Sequence, residues 1–129
     1  MYDVKNSIRI YIAKEYVEER KTGYYIILVV YNNVVINTIK RKARNISLEN
    51  IYFKALMEIF EMYKVPMVLN LYIDNMLFID KLQHLETDNY WYNKINKNFQ
   101  KHIIRFIEHD DEFSDYAKLL SQNSMYYDN

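Results

Sequence analysis

The stretch from Tyr24 to Tyr31, Tyr-Tyr-Ile-Ile-Leu-Val-Val-Tyr, limits what this chain can fold into more than any other segment. A run of aromatic and β-branched residues of that length suits a central strand. It is far too short to cross a bilayer. Asn32-Asn33 follows, and asparagine tolerates the left-handed backbone that tight hairpin turns need. Val34 to Ile39 is then a second strand running back along the first. Upstream, Ile8, Ile10 and Ile12 alternate with Arg9, Tyr11 and Ala13, the period of a half-buried strand. Glu18 to Gly23 is a charged turn that ends on the chain's one glycine. Three antiparallel strands in a meander are the economical arrangement.

Beyond the meander the period changes. Leu48, Ile51, Tyr52, Ala55, Leu56, Ile59 and Tyr63 recur at helical spacing, so a helix with a wide apolar stripe is expected, capped by Asn45 or Ser47. Lys64-Val65-Pro66 stops it, because the residue before proline is pushed out of the α region. Met67 to Ile73 reads as a fourth strand with Asp74 at its C-terminal end, and Asn75 to about Leu85 as a helix. In 87–100, Tyr90, Trp91, Ile95 and Phe99 favour another helix. His102 to Ile107 is a fifth strand, His109 to Glu112 a polar loop, and Phe113, Tyr116, Ala117 and Leu120 mark a last amphipathic helix. Half of the 129 residues are hydrophobic, enough for one core and too few for two ordinary domains. One domain over 1–120 is expected, with 121–129 as a frayed tail.

Several function classes drop out on composition. Lys and Arg number 17, as do Asp and Glu, so no net charge draws the chain to nucleic acid or an anionic membrane. Any such attraction must be local. The one dense cluster is Lys40, Arg41, Lys42 and Arg44, expected as a basic loop. Solvated loops often look like this; the functional alternative is a phosphate-contacting patch beside Asn45 with salt-sensitive binding. Without cysteine there are no disulfides or thiolate metal sites, and a single glycine rules out a Gly-rich phosphate loop. Met1 to Asn6 lacks the apolar core of a signal peptide, so a cytoplasmic location is expected. Ile, Asn, Lys and Tyr make up more than two-fifths of the chain, a bias of AT-rich coding DNA shared by many phages, other viruses and low-GC bacteria.

The element order β-β-β-α-β-α-(α)-β-α carries acidic residues at particular places. Leu48-Glu49 opens the first long helix, Leu71-Tyr72-Ile73-Asp74-Asn75 ends the fourth strand, and Glu108-His109-Asp110-Asp111-Glu112-Phe113-Ser114-Asp115 leads into the last helix. In this order and spacing, over roughly Ile8 to Leu120, the chain resembles the ribonuclease H family. The resemblance implies an α/β fold: a five-stranded mixed sheet with helices packed on it. It also implies a site in which Glu49, Asp74 and Asp115 would hold magnesium, with His109 in the neighbouring loop. Asn45 falls where the family places an asparagine that contacts the minor groove of an RNA–DNA hybrid. Catalysis of that kind needs two metal ions about 4 Å apart, held by converging carboxylates. The family's bridging aspartate lies on the first strand; here that stretch reads Tyr11-Ile12-Ala13-Lys14-Glu15, with alanine at the aspartate position. Glu15 points to the same face but about 7 Å further along, a poor replacement.

Each acidic residue also has a plainer role open to it. Glu49 and Asp115 in first helical turns suit the helix dipole, Asp74 between strand and helix suits an N-cap, and His109 suits an ordinary loop histidine. With Ala13 where the bridging ligand belongs, the favoured expectation is a non-catalytic binding protein on a degenerate ribonuclease H-like scaffold, with no cofactor. Its partner would be a protein or a protein–nucleic-acid complex rather than free nucleic acid or a membrane. Fourteen tyrosines fit that expectation, since tyrosine is enriched at protein interfaces, whereas Tyr90-Trp91-Tyr92 fits core or a helix face better than a base-stacking platform. The coding bias fits a small viral or mobile-element accessory protein, for which inhibiting a host defence nuclease such as a CRISPR effector is one form. The alternatives are a magnesium-dependent nuclease with a rearranged site using Glu15, Glu49, Asp74 and Asp115, or a nucleic-acid binder that does not cut.

Overall fold

The hairpin turns where the two asparagines stand. Asn32 and Asn33 take φ of 53° and 62°, joining β2 (Thr22–Tyr31) to β3 (Val34–Ala43). The computed structural model describes residues 7–107 and 110–127, the last four by backbone alone. β1 (Ser7–Val17) pairs antiparallel with β2 and parallel with β4 (Val68–Ile73), and β4 pairs parallel with β5 (Ile103–Ile107). The sheet is therefore mixed, in the order β3-β2-β1-β4-β5, as expected from the order of elements. α1 (Leu48–Met62), α2 (Met76–Gln83) and α3 (Tyr92–Lys101) contribute to the core on one face of the sheet, and α4 (Glu112–Tyr127) covers the other.

The two faces divide the side chains of β1 and β2. Ile8, Ile10 and Ile12 join Tyr25, Ile27 and Val29 in the large core under α1. Tyr11 and Ala13 join Leu28, Val30 and Ala117 of α4 in a smaller one. β1 is thus buried on both faces, where the sequence pattern predicts one, because α4 returns to cover the second. α1 starts at Ser47, whose side chain accepts from the Asn50 N–H at 3.2 Å. Asn45, the other candidate cap, instead carries the chain through a left-handed turn with φ of 54°.

Gly23 proves to be more than the end of a turn. It lies within β2 between Tyr16 and Ala43, and a β-carbon there would collide with the fully buried Ile51 side chain of α1. Glycine is required at this point for close helix–sheet approach.

Three element boundaries and the buried face of one helix differ from the sequence reading. β3 continues to Ala43, so Lys40, Arg41 and Lys42 are strand residues opposite Ile26, Tyr25 and Tyr24 rather than a loop; the partner strand extends far enough to keep pairing with them. The segment before α3 forms turns from Thr87 to Trp91 and only then becomes helical. α4 runs past Ser121 to Tyr127, where fraying was expected. Ser121 is buried and its hydroxyl donates to the Lys118 carbonyl at 2.9 Å. Finally, α4 lies on the sheet through Ser114, Ala117 and Ser121, all buried, while Tyr116 is exposed. Small residues at this spacing let the helix sit close to the strands.

Candidate functional site

Parallel pairing sets Tyr11 beside Tyr72 and Ile12 beside Ile73; β4 ends there while β1 runs on to Val17, with Ala13 and Asp74 next in line. Tyr11 and Tyr72 stack with their centroids 4.2 Å apart. Ala13 shares the face of Tyr11, toward α4. Between this part of the sheet and the first turns of α4 lies a pocket of about 250 Å³, lined among others by Tyr11, Ala13, Asp74, Asp110, Ser114 and Lys118.

Asp74 sits at the pocket's edge. It does not cap α2; Asn75 does, accepting from the Phe78 N–H at 3.1 Å. Asp74 instead accepts a 2.9 Å hydrogen bond from the hydroxyl of Tyr52, a fully buried residue of α1. Burial, followed by the charge and hydrogen bond of Asp74, pushes the Tyr52 hydroxyl far above its ordinary pKa, so the phenol stays a donor.

Asp110 and Asp111 occupy the loop before α4 and act differently. Asp111 caps the helix, its Oδ1 accepting from the N–H groups of Phe113 at 2.9 Å and Ser114 at 3.1 Å. Its Oδ2 accepts from the Tyr11 hydroxyl at 2.6 Å, with the Arg9 guanidinium 3.5 Å away. Partial burial opposes the Asp111 charge, yet the Tyr11 hydroxyl, the two amides and Arg9 together hold its carboxyl below the ordinary aspartate value. Tyr11 is pushed far up by burial and by this hydrogen bond. Asp110 receives a 2.8 Å hydrogen bond from the Lys118 ammonium. That bond holds Lys118 above the ordinary lysine value against partial burial, and the charges of Asp110, Asp74 and Asp115 reinforce it.

The remaining expected site residues are dispersed. Glu49, in the first turn of α1, forms an ion pair with Lys81 of α2 and lines a separate depression with Tyr52 and Phe78. Asp115 is exposed on α4 and does not line the β1–β4 pocket. Glu15 stands on β1 opposite Tyr24, also outside the lining. His109 lies outside the described residues. Among the described residues no three His, Asp or Glu side chains gather so that they could hold a metal ion.

The basic run is split by the alternation of β3. Arg41 turns toward α1 and pairs with Glu58 at 3.0 Å, where the Tyr25 hydroxyl also donates. The Lys42 ammonium lies 5.5 Å from the Tyr24 ring centroid, on the opposite face. Arg44 and Asn45 are exposed just beyond the strand. Trp91 is a strut: it stacks on Phe53 with centroids 5.0 Å apart and donates to the Asn50 side chain at 3.2 Å.

Lys118, Asp110 and Tyr11 are pocket residues that the sequence reading did not single out for the site, and neither was Tyr52, which reaches Asp74 from α1. For Lys118 a signal existed, since Ser114, Ala117 and Ser121 mark the inner face of α4 and Lys118 adjoins it.

No protein-family model matches the chain, and a comparison with curated proteins finds no relative. Solved structures do resemble it. LC11-RNase H1, isolated from compost by a metagenomic approach, superposes with a TM-score of 0.66 at 12% identity, covering 94% of this chain and 96% of that one. The same enzyme in complex with an RNA/DNA hybrid gives 0.64 at 12% identity, over 90% and 94% of the two chains. The N-terminal RNase H domain of a Mycobacterium tuberculosis protein gives 0.63 at 11% identity, over 93% and 94%. The fold of this chain is ribonuclease H-like. Among the described residues no helix is long and apolar enough to cross a membrane.

Proposed function

We propose that this chain is a binding protein that uses a ribonuclease H-like fold without cutting nucleic acid. The observation that carries the reading is Ala13. It faces the pocket from within β1, one residue past the last pair with β4, and Asp74 follows the end of β4; its methyl group supplies no ligand atom where the fold family's metal chemistry calls for a carboxylate shared between two ions. The other acidic groups fit a metal pair no better: Glu49 is engaged by Lys81 and Asp110 by Lys118. Exposed Val34, Ile36, Leu77, Tyr90, Tyr116 and Leu119 give a protein partner apolar and aromatic contact area.

The test is a cleavage assay on RNA–DNA hybrid in Mg2+ and in Mn2+, with wild type and Asp74→Asn. No cleavage above buffer is expected from either. Cleavage by wild type that Asp74→Asn abolishes refutes the proposal. The same preparation settles the class of partner. If the partner is a protein, serine at Lys40, Arg41, Lys42 and Arg44 mainly slows association. If it is nucleic acid, the quadruple change weakens binding and flattens the log–log salt dependence by about three to four units.

A further inference from the structure

Carboxylates brought to one spot need positive charge nearby, because their mutual repulsion otherwise disfavours ionisation of some of them. In the pocket between β1, β4 and α4 that charge comes from the chain itself. Lys118 projects from α4 along the pocket wall next to Ala117 and Ser114, and its ammonium lies 2.8 Å from Asp110 Oδ2. Asp74, from the end of β4, and Asp115, three residues before it on α4, act on the same ammonium by charge. One carboxylate, Asp110, is therefore bonded to this tethered cation, and a second, Asp74, lines the same pocket. The first turn of α1 repeats the device, where Lys81 meets Glu49.

We infer that the Lys118 ammonium stands in this pocket in place of a divalent ion and closes the pocket to Mg2+. Mg2+ demands near-octahedral oxygen ligation at about 2.0–2.1 Å and gives up its water reluctantly. Ala13 leaves β1 without a ligand, so among the lining residues only the carboxylates of Asp74 and Asp110 remain to hold a hydrated ion. An ammonium asks for less: it donates to whichever carboxylates are in reach at ordinary hydrogen-bond distances. It also repels an incoming divalent ion. At about 6 Å, even with the dielectric constant of water, one unit charge lowers the affinity of a doubly charged ion about tenfold. This inference concerns the pocket's cation and stands whether the protein's partner is a protein or a nucleic acid.

The experiment is a Mn2+ titration followed by the EPR signal of the free ion, on wild type, Lys118→Met and Lys118→Met/Asp74→Asn. Circular dichroism checks that each is folded. Wild type is expected to leave the Mn2+ signal unchanged through the low millimolar range. Lys118→Met is expected to bind Mn2+ at least about tenfold more tightly, and Asp74→Asn in the same background to remove the gain. Lys118→Gln, which keeps a polar side chain of similar length, is the second variant should the methionine form not fold, and the same gain is expected of it. Uptake of Mn2+ by wild type as tight as by the lysine variants overturns the inference. So does a folded Lys118 variant that gains no affinity, or one whose gain survives Asp74→Asn.

Discussion

Changing Tyr11 to phenylalanine removes one oxygen and leaves the ring where it is, stacked on Tyr72 and tilted against Phe113. What is lost is the 2.6 Å hydrogen bond to Asp111 Oδ2, a tie between the middle of β1 and the start of α4. Hydrogen bonds to charged groups contribute about 1.5–3 kcal/mol. The lower end applies, because the Asp111 side chain is 26% exposed and keeps Arg9 and two amide donors. Tyr11→Phe should therefore cost about 1.5 kcal/mol, or roughly 5 °C in Tm for a domain near this size. The loss should depend on pH. The Asp111 carboxyl is held below its unfolded value, so the stability it contributes is present above about pH 4 and fades as the pH falls below that. Without the phenol the folded pKa moves back up, and the gap between wild type and variant should narrow as the solution is acidified. Urea unfolding from pH 7 to pH 3, with a double-mutant cycle through Asp111→Asn, measures both effects. A loss within about 0.5 kcal/mol of zero, ordinary for an inconsequential substitution, refutes the reasoning; so does a gap indifferent to pH.

Two further outcomes are expected. Gly23→Ala should destabilise the fold by about 1–3 kcal/mol in urea unfolding through overpacking against Ile51, and Gly23→Ala combined with Ile51→Val should recover part of that loss. His102, buried under Phe60 and accepting from the Met67 N–H at Nδ1, is held below the ordinary histidine value by burial and then by the charge of Lys101. Its neutral form is the one the fold favours, so its contribution is complete above the unfolded value near pH 6.5 and is lost as the pH falls from there through the folded value. An NMR titration should place the His102 ring below the ordinary histidine value, and a His102 that titrates at or above 6.5 contradicts the account.

Much of the fold was legible because its signals are local. Asn32-Asn33 between two apolar runs defines a hairpin wherever it occurs, and Pro66 ends a helix without help from the rest of the molecule. The parallel pairing of β1 with β4 followed from the element order, which requires a crossover between them. What could not be read locally were consequences of packing. Tyr11 and Ala13 look like the exposed half of an alternating strand until α4, about a hundred residues later, covers them. Lys40, Arg41 and Lys42 look like a loop because three cations disfavour a core, yet an edge strand can hold them at no such cost. Gly23 announces a turn by composition, while its real constraint is the Ile51 side chain of another element.

The site was harder to read for a related reason. Resemblance directs attention to carboxylates, and Glu49, Asp74 and Asp115 were found where helix starts and strand ends place acidic residues. Whether carboxylates converge depends on what each one's nearest cation is, and that is a tertiary property. Lys81 draws Glu49 toward α2, and Lys118 meets Asp110 rather than leaving the pocket's charge unbalanced. Both lysines lie on helices, where a charged residue beside an apolar stripe reads as solvent-facing. Lys118 differs because its inward neighbours Ser114, Ala117 and Ser121 are small. α4 therefore lies close to the sheet, and a lysine on its flank can line the pocket beside Ala13 and the end of β4. A bulkier residue at Ala117 would lift the helix and carry that ammonium away from the pocket, so the same small side chain that packs α4 also sets the charge balance there.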